Sequence, residues 1–182
     1  PIYFFIVIIN TTFTPTTNSY FIITFWHFQI FIHFNISSTH DEYLEFIQDF
    51  ANGIGNNKPI VIFEPDAIPH LTHLEKGEAN SRIKLIKQAL EILTQTNAIV
   101  YIDVGHSNWL SPEEVNQFLN KVTNTKVRGF SVNVSNYRTT IESAKWANKI
   151  CELRPQDYYV IDTSRNGNGP HGNDWCNPPG RA

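Results

Sequence analysis

A chain of 182 residues is long enough for one domain with a sizeable core. Its formal charge of −3 leaves no basic footprint for nucleic acid or an anionic membrane surface. Aromatics at 13% and charged residues at 17% fit two descriptions equally well: platforms for an uncharged ligand, or a core-heavy domain.

Cys151 and Cys176 are the only cysteines, too few for a disulfide scaffold and not at metal-ligand spacing. No metal or other cofactor is expected. Cys151 lies among apolar helical positions and reads as a buried thiol. No secretory signal is visible, and a start at Pro1 instead of Met reads as processing or a partial gene model.

Residues 1–38 differ in kind from the rest. They hold 21 Ile, Phe, Tyr, Val or Trp and no Leu, Ala, Gly, Asp, Glu, Lys or Arg. Only strands are favoured by such propensities. The apolar run Ile2–Ile9 is too short for a bilayer, which needs about 20 apolar residues, and His27, Gln29 and His33 break Tyr20–Phe34. Much of this segment is expected not to be native coding sequence: a retained intron or frame error in an AT-rich gene gives the same bias.

Residues 39–182 read as an ordinary domain. Thr39 and Glu42 form a capping-box pattern. The helix that follows shows Tyr43, Phe46, Ile47 and Phe50 on one face and stops at Gly53 and Gly55. Pro59–Phe63 reads as a buried strand running into Glu64-Pro65-Asp66. A helix over Ala79–Thr94 precedes a strand at Ala98–Ile102, which ends at Asp103. Ser111, Pro112 and Glu114 mark the start of the next helix. Val127–Val132 is a strand, Thr140–Leu153 a helix and Tyr158–Ile161 a strand. Short apolar strands alternating with helices predict an α/β fold with a parallel sheet. Barrel and doubly wound sheet are equally compatible with that pattern.

Each strand runs out into a polar cluster: Glu64-Pro65-Asp66, Asp103-x-Gly-His106, Asn133-x-x-Asn136 and Asp162-x-x-Arg165. Parallel α/β folds put their chemistry at this carboxyl-end rim. Asp66, with Glu64 beside it, is a candidate acid whose pKa like charge and burial would raise; equally, it caps the loop after the strand. His106 could be a base, a ligand or a hydroxyl donor, but lacks the second His at i+4 that a metal site would favour. Trp109 and Trp175 suit stacking on a sugar face, or anchoring of loops. The glycines of Asn166-Gly-Asn-Gly169 follow no phosphate-loop pattern, and no Gly-x-Ser-x-Gly supports acyl transfer.

Val61-Ile-Phe-Glu-Pro-Asp-Ala67, Tyr101-Ile-Asp-Val-Gly-His-Ser-Asn-Trp109, Gly129-Phe-Ser-Val-Asn-Val-Ser-Asn-Tyr137, Ile161-Asp-Thr-Ser-Arg-Asn-Gly-Asn-Gly169 and Trp175-Cys-Asn-Pro-Pro-Gly-Arg-Ala182 resemble, in order, the motifs of glycoside hydrolase family 6. That family holds cellobiohydrolases and endoglucanases. The resemblance covers about residues 40–182 and implies a partial distorted β/α barrel with its active site at the strand carboxyl rim. It also implies a secreted monomer that hydrolyses β-1,4 bonds of cellulose or cello-oligosaccharides with inversion. By the same resemblance Asp66 is the proton donor, Asp103 a supporting aspartate, and His106, Trp109, Asn136 and Trp175 contact sugar. Arg165 would support a neighbouring carboxylate.

Two departures accompany the resemblance. The family's Arg-Asp-Cys motif, which supplies an aspartate assisting the donor, has no counterpart. The loop of the catalytic base lies beyond Trp-Cys-Asn, whereas the sequence ends at Ala182. On this reading the sequence is an incomplete catalytic domain, weakly active or inactive as written, and Cys176 has lost its disulfide partner. The alternative is a catalytically dead carbohydrate-binding remnant.

Overall fold

A computed structural model describes residues 22–24, 36–174, 176 and 178–180. Five parallel strands alternate with helices: β1 (Ile22–Thr24), α1 (Ile36–Ile54), β2 (Ile60–Phe63), α2 (Ala67–His70), α3 (Lys76–Leu93), β3 (Ile99–Asp103), α4 (Pro112–Val122), β4 (Gly129–Val132), α5 (Thr140–Leu153) and β5 (Tyr158–Ile161). The strands lie side by side in chain order, from β1 to β5. A doubly wound sheet reverses its order partway. Here each crossover joins adjacent strands, and right-handed crossovers of that kind put every helix on one face. The helices accordingly form one row, α1 on α3, α3 on α4 and α4 on α5. Strands and helices together make the wall of a β/α barrel, which resolves the alternative the sequence left open.

Strand alternation sorts the side chains. Val61, Phe63, Val100, Ile102, Phe130 and Val132 face the helices and join Ile47, Leu90, Leu119 and Ile150 in the main core. Ile62, Tyr101 and Val134 form a smaller cluster on the other face. Asp103 and Ser131 are paired in register and share the parity of Tyr101, so both belong to that inner face.

Local signals explain the element ends. Ser111 accepts from the Glu114 backbone N–H, and Glu114 bonds back to Ser111, completing a capping box with Pro112 at the first position. Helix α1 ends where Gly55 takes φ 54°. Its start differs from expectation: the helix begins at Ile36, so Thr39 is already in helical backbone and cannot be the cap. Within the 1–38 segment, Ile22–Thr24 pair with Ile60–Ile62; most of the rest of that segment lies outside the described residues. Cys151 is half-buried instead of fully enclosed. Among the described residues, no helix is long and apolar enough to cross a membrane.

At the amino end of the strands Arg154 is buried and fully engaged. Its Nε meets Asp157 Oδ2 at 2.5 Å, Nη1 donates to Asn120 Oδ1 at 2.5 Å, and Nη2 donates to Thr123 Oγ1 at 3.2 Å. These bonds tie the end of α4 to the α5–β5 turn.

Gly129 opens β4 with φ 151°, and a Cβ there would overlap the Tyr158 backbone of β5. Gly129→Ala is expected to cost about 3 kcal/mol or more, since neither strand can retreat without breaking the ladder. Urea unfolding measures this, and a loss within about 0.5 kcal/mol, ordinary for a surface change, would refute the close approach.

Candidate active site

The turn after β2 has unusual backbone. Glu64 and Asp66 both adopt left-handed conformations, φ 51° and 65°. Such strain in non-glycine residues persists only where surroundings enforce it. Asp66 precedes α2, yet its side chain makes no capping hydrogen bond, so the loop-capping alternative does not hold. What fixes Asp66 is its backbone N–H, which donates to Asp103 Oδ1 at 2.9 Å.

Glu64 does not form a like-charge pair with Asp66, contrary to expectation. The left-handed step at Glu64 ends the strand alternation that would have put both carboxylates on one side. Glu64 is 2% exposed, and Tyr43 of α1 donates its hydroxyl to Oε1 at 2.5 Å. Burial pushes the Glu64 carboxyl up to about 7, against the opposing pull of the Tyr43 bond and the Arg82 charge. Burial also raises Asp66, to about 6.

The carboxylate that accompanies Asp66 is Asp103. Wholly buried, Asp103 accepts from the Asp66 and Gly105 N–H groups on Oδ1, each at 2.9 Å, and from Ser131 Oγ on Oδ2 at 2.9 Å. Burial first, and then the charge of Asp66, push its carboxyl well above the usual range, while the three hydrogen bonds pull back.

After β3 the chain builds an aromatic shelf. Trp109 is half-buried, its ring 5.2 Å from both His106 and His70, edge-on to His70. Gly105 makes room for it: a Cβ there would lie 2.7 Å from Pro69 Cγ and 3.2 Å from Trp109 Cε3. The Asn108 N–H donates to His106 Nδ1 at 3.3 Å, which leaves the proton of the neutral imidazole on Nε2. Burial and the nearby Arg138 charge lower His106 to about 4.

Asn133 joins the β3, β4 and β5 loops. Buried and left-handed at φ 67°, it donates Nδ2 to Asp162 O at 2.9 Å and to Arg138 O at 3.0 Å. Its own N–H donates to Gly105 O at 2.7 Å. Asn136 accepts the Tyr137 N–H on Oδ1 at 2.8 Å, while its NH2 group has no partner among the described residues. Asp162 is spent on backbone, accepting from Ser135 and Ser164 N–H groups at 2.8 Å each. Arg165 reaches Ser135 O at 3.3 Å and the Tyr137 hydroxyl, and its guanidinium lies 4.5 Å over the Tyr137 ring.

The structure therefore brings Asp66 and Asp103 together, gathers His106 with Trp109, and sets Asn136 in the loop after β4. Trp175 lies outside the described residues. Sequence reasoning missed Tyr43, Ser131 and the joining role of Asn133. Strand parity pointed to Ser131, opposite Asp103; nothing local marks Tyr43, which is 21 residues from Glu64.

Because folding raises Glu64 from 4.5 to about 7, its stabilising contribution is complete below the unfolded value and is lost as pH climbs through the folded one. Glu64→Gln should flatten the decline in melting temperature between about pH 5 and pH 8. Asp66 and Asp103 shift in the same direction and leave a residual slope. An unchanged decline in the variant would show that Glu64 does not titrate there.

Residues 33–182 match the model for glycosyl hydrolases family 6. Endoglucanase A of Cellulomonas fimi is 44% identical over 141 residues, covering 78% of this chain and 30% of that protein. Endoglucanase 1 of Streptomyces sp. (strain KSM-9) is 41% identical over 143 residues, covering 76% and 40%. Among solved structures, the endoglucanase of Mycobacterium tuberculosis in complex with methyl-cellobiosyl-4-deoxy-4-thio-β-D-cellobioside superposes with a TM-score of 0.80 at 37% identity, over 88% of this chain and 58% of that one. The chain thus spans between 30% and 58% of the length of these three relatives. Its sheet and helix row correspond to part of the distorted β/α barrel of such enzymes. With the family match extending over 33–182 and the rim motifs in place along it, the chain belongs to glycosyl hydrolases family 6.

Proposed function

We propose that this chain carries the proton-donating side of an inverting β-1,4-glucanase site, acting on cellulose or cello-oligosaccharides outside the cell. The observation that carries the reading is Asp66: a half-buried carboxyl raised to about 6, free of capping duty, held in a strained turn at the rim. A general acid works best with its pKa near the operating pH. Asp103 acts as a positioning residue, since its Oδ1 holds the Asp66 peptide. His106, a donor at Nε2, and the Asn136 NH2 group suit sugar hydroxyls. The Trp109 ring suits the apolar face of a pyranose, and Trp175 is a second platform on the same reading. The M. tuberculosis relative, solved with a thio-linked cello-oligosaccharide, supports this substrate class.

Inversion needs a second carboxylate about 6.5–9.5 Å from the donor, with water between. Glu64 faces Tyr43, Asp103 accepts bonds on both oxygens and Asp162 holds two backbone N–H groups. None of the three is disposed to activate water.

In the full chain, Asp66→Asn should lower kcat on cellotetraose by about 10²–10⁴-fold, with little change in binding. Wild-type kcat should fall as pH rises through about 6, because only protonated Asp66 can donate. Near wild-type turnover in Asp66→Asn would overturn the assignment. Saturable binding without product from the wild type would make the chain a carbohydrate-binding protein instead.

Trp109→Ala should weaken cello-oligosaccharide affinity about five- to tenfold, the worth of one stacking contact. Calorimetric titration measures this. Unchanged affinity alongside a stability loss of about 3–5 kcal/mol would make Trp109 a core anchor.

A further inference from the structure

The mechanism above makes no use of Glu64, a buried carboxyl two residues from Asp66. Glu64 follows β2, takes φ 51°, and is followed by Pro65 and then by Asp66 at φ 65°. Its carbonyl accepts the Ala67 N–H at 3.0 Å, closing the turn around Asp66. Its side chain leaves the rim and runs into the interior, where Tyr43 donates to Oε1. The other oxygen, Oε2, is buried with no hydrogen-bond partner. Tyr43 is itself 5% exposed and fixed in the main core by α1. Replacing this arrangement with apolar contacts would avoid both the desolvation and the unpartnered oxygen. A costly buried group two residues from a reacting one is better explained by what it holds in place.

We propose that the Tyr43–Glu64 hydrogen bond is a clamp that positions Asp66: by tying the first residue of the turn to α1, it enforces the left-handed geometry that sets the acid's carboxyl at the rim. The clamp rests on the reading of Asp66 as the proton donor, and deepens it. Glu64 and Tyr43 are positioning residues and touch no substrate. Asp66 is then held from both ends, by Asp103 at its own N–H and by Tyr43 through Glu64. The charged and titratable groups acting on Glu64 are Tyr43 from α1 and Arg82 from α3, with Glu78 beyond Arg82. At pH below about 7 the Glu64 carboxyl is neutral, so glutamine reproduces its shape, its acceptor for Tyr43 and its charge.

The test pairs Tyr43→Phe with Glu64→Gln in the full chain, with two readouts. The first is the titration of the Asp66 side-chain carboxyl by carbon NMR, which needs no turnover. Tyr43→Phe keeps the buried ring and removes the donor. Asp66 then loosens into water, and its pKa is expected to fall by about one unit or more from its value of about 6. The second is turnover of cellotetraose: kcat about tenfold or more lower, KM within about twofold, and the basic limb of the pH–rate profile moved to lower pH. Glu64→Gln should leave the Asp66 titration and the limb in place. An unmoved Asp66 titration in a folded Tyr43→Phe protein would overturn the clamp, even if its melting temperature drops. Failure of the proton-donor reading shows separately, as turnover that survives Asp66→Asn. If the chain turns over no substrate, the NMR titration still decides between clamp and mere packing.

Discussion

The carboxyl of Asp103 sits where water cannot reach it and is the joint on which the rim is built. Its two oxygens accept from two loops and a neighbouring strand: Asp66 after β2, Gly105 after β3, and Ser131 on β4. Removing a carboxylate from water costs several kcal/mol, and hydrogen bonds on both oxygens offset part of that. What remains holds the Asp103 carboxyl well above the usual carboxylate range. The arrangement trades stability at high pH for order among three segments of the rim. Without that joint, the Asp66 N–H and the Gly105 N–H beneath Trp109 would both lose their acceptor.

Strain is concentrated along the same rim. The left-handed non-glycine residues of the described structure are Glu64, Asp66, Asn133 and Ser135, two after β2 and two after β4. Each costs on the order of 1–3 kcal/mol unless neighbours impose it. The neighbours here are identifiable: Tyr43 and Asp103 for the first pair, Asp162 and Arg138 for the second. The dry layer between sheet and helices, where Val61, Phe63, Ile102 and Phe130 are buried completely, supplies the stability that sustains these turns. Helix-side residues of the strands thus provide stability, and rim residues spend part of it.

Much of this was legible in the sequence because it is local. Short apolar runs marked the strands, period 3.6 the helices, and Ser111 with Pro112 and Glu114 marked one helix start; α5 and β5 fall where the spacing put them. The carboxyl-end clusters also follow from reading each strand to its last apolar residue. Four things were not legible. Helix α2 has four residues with Pro69 among them, too short to show any period. The inward turn of Glu64 depends on φ 51°, a value no propensity assigns to glutamate. The strand order that distinguishes barrel wall from doubly wound sheet resides in contacts between distant segments, as does the reach of Tyr43 to Glu64.

The Arg154 knot lies at the opposite end of the strands from all of this. There the guanidinium, Asp157, Asn120 and Thr123 satisfy one another, and an ion pair of side chains 7% and 9% exposed is closed to water. The two ends of the sheet therefore tolerate substitution differently. Exchanges at the rim loops leave the anchorage at the other end of the strands untouched. At the knot a single exchange strands a buried charge, and the link between α4 and the α5–β5 turn goes with it.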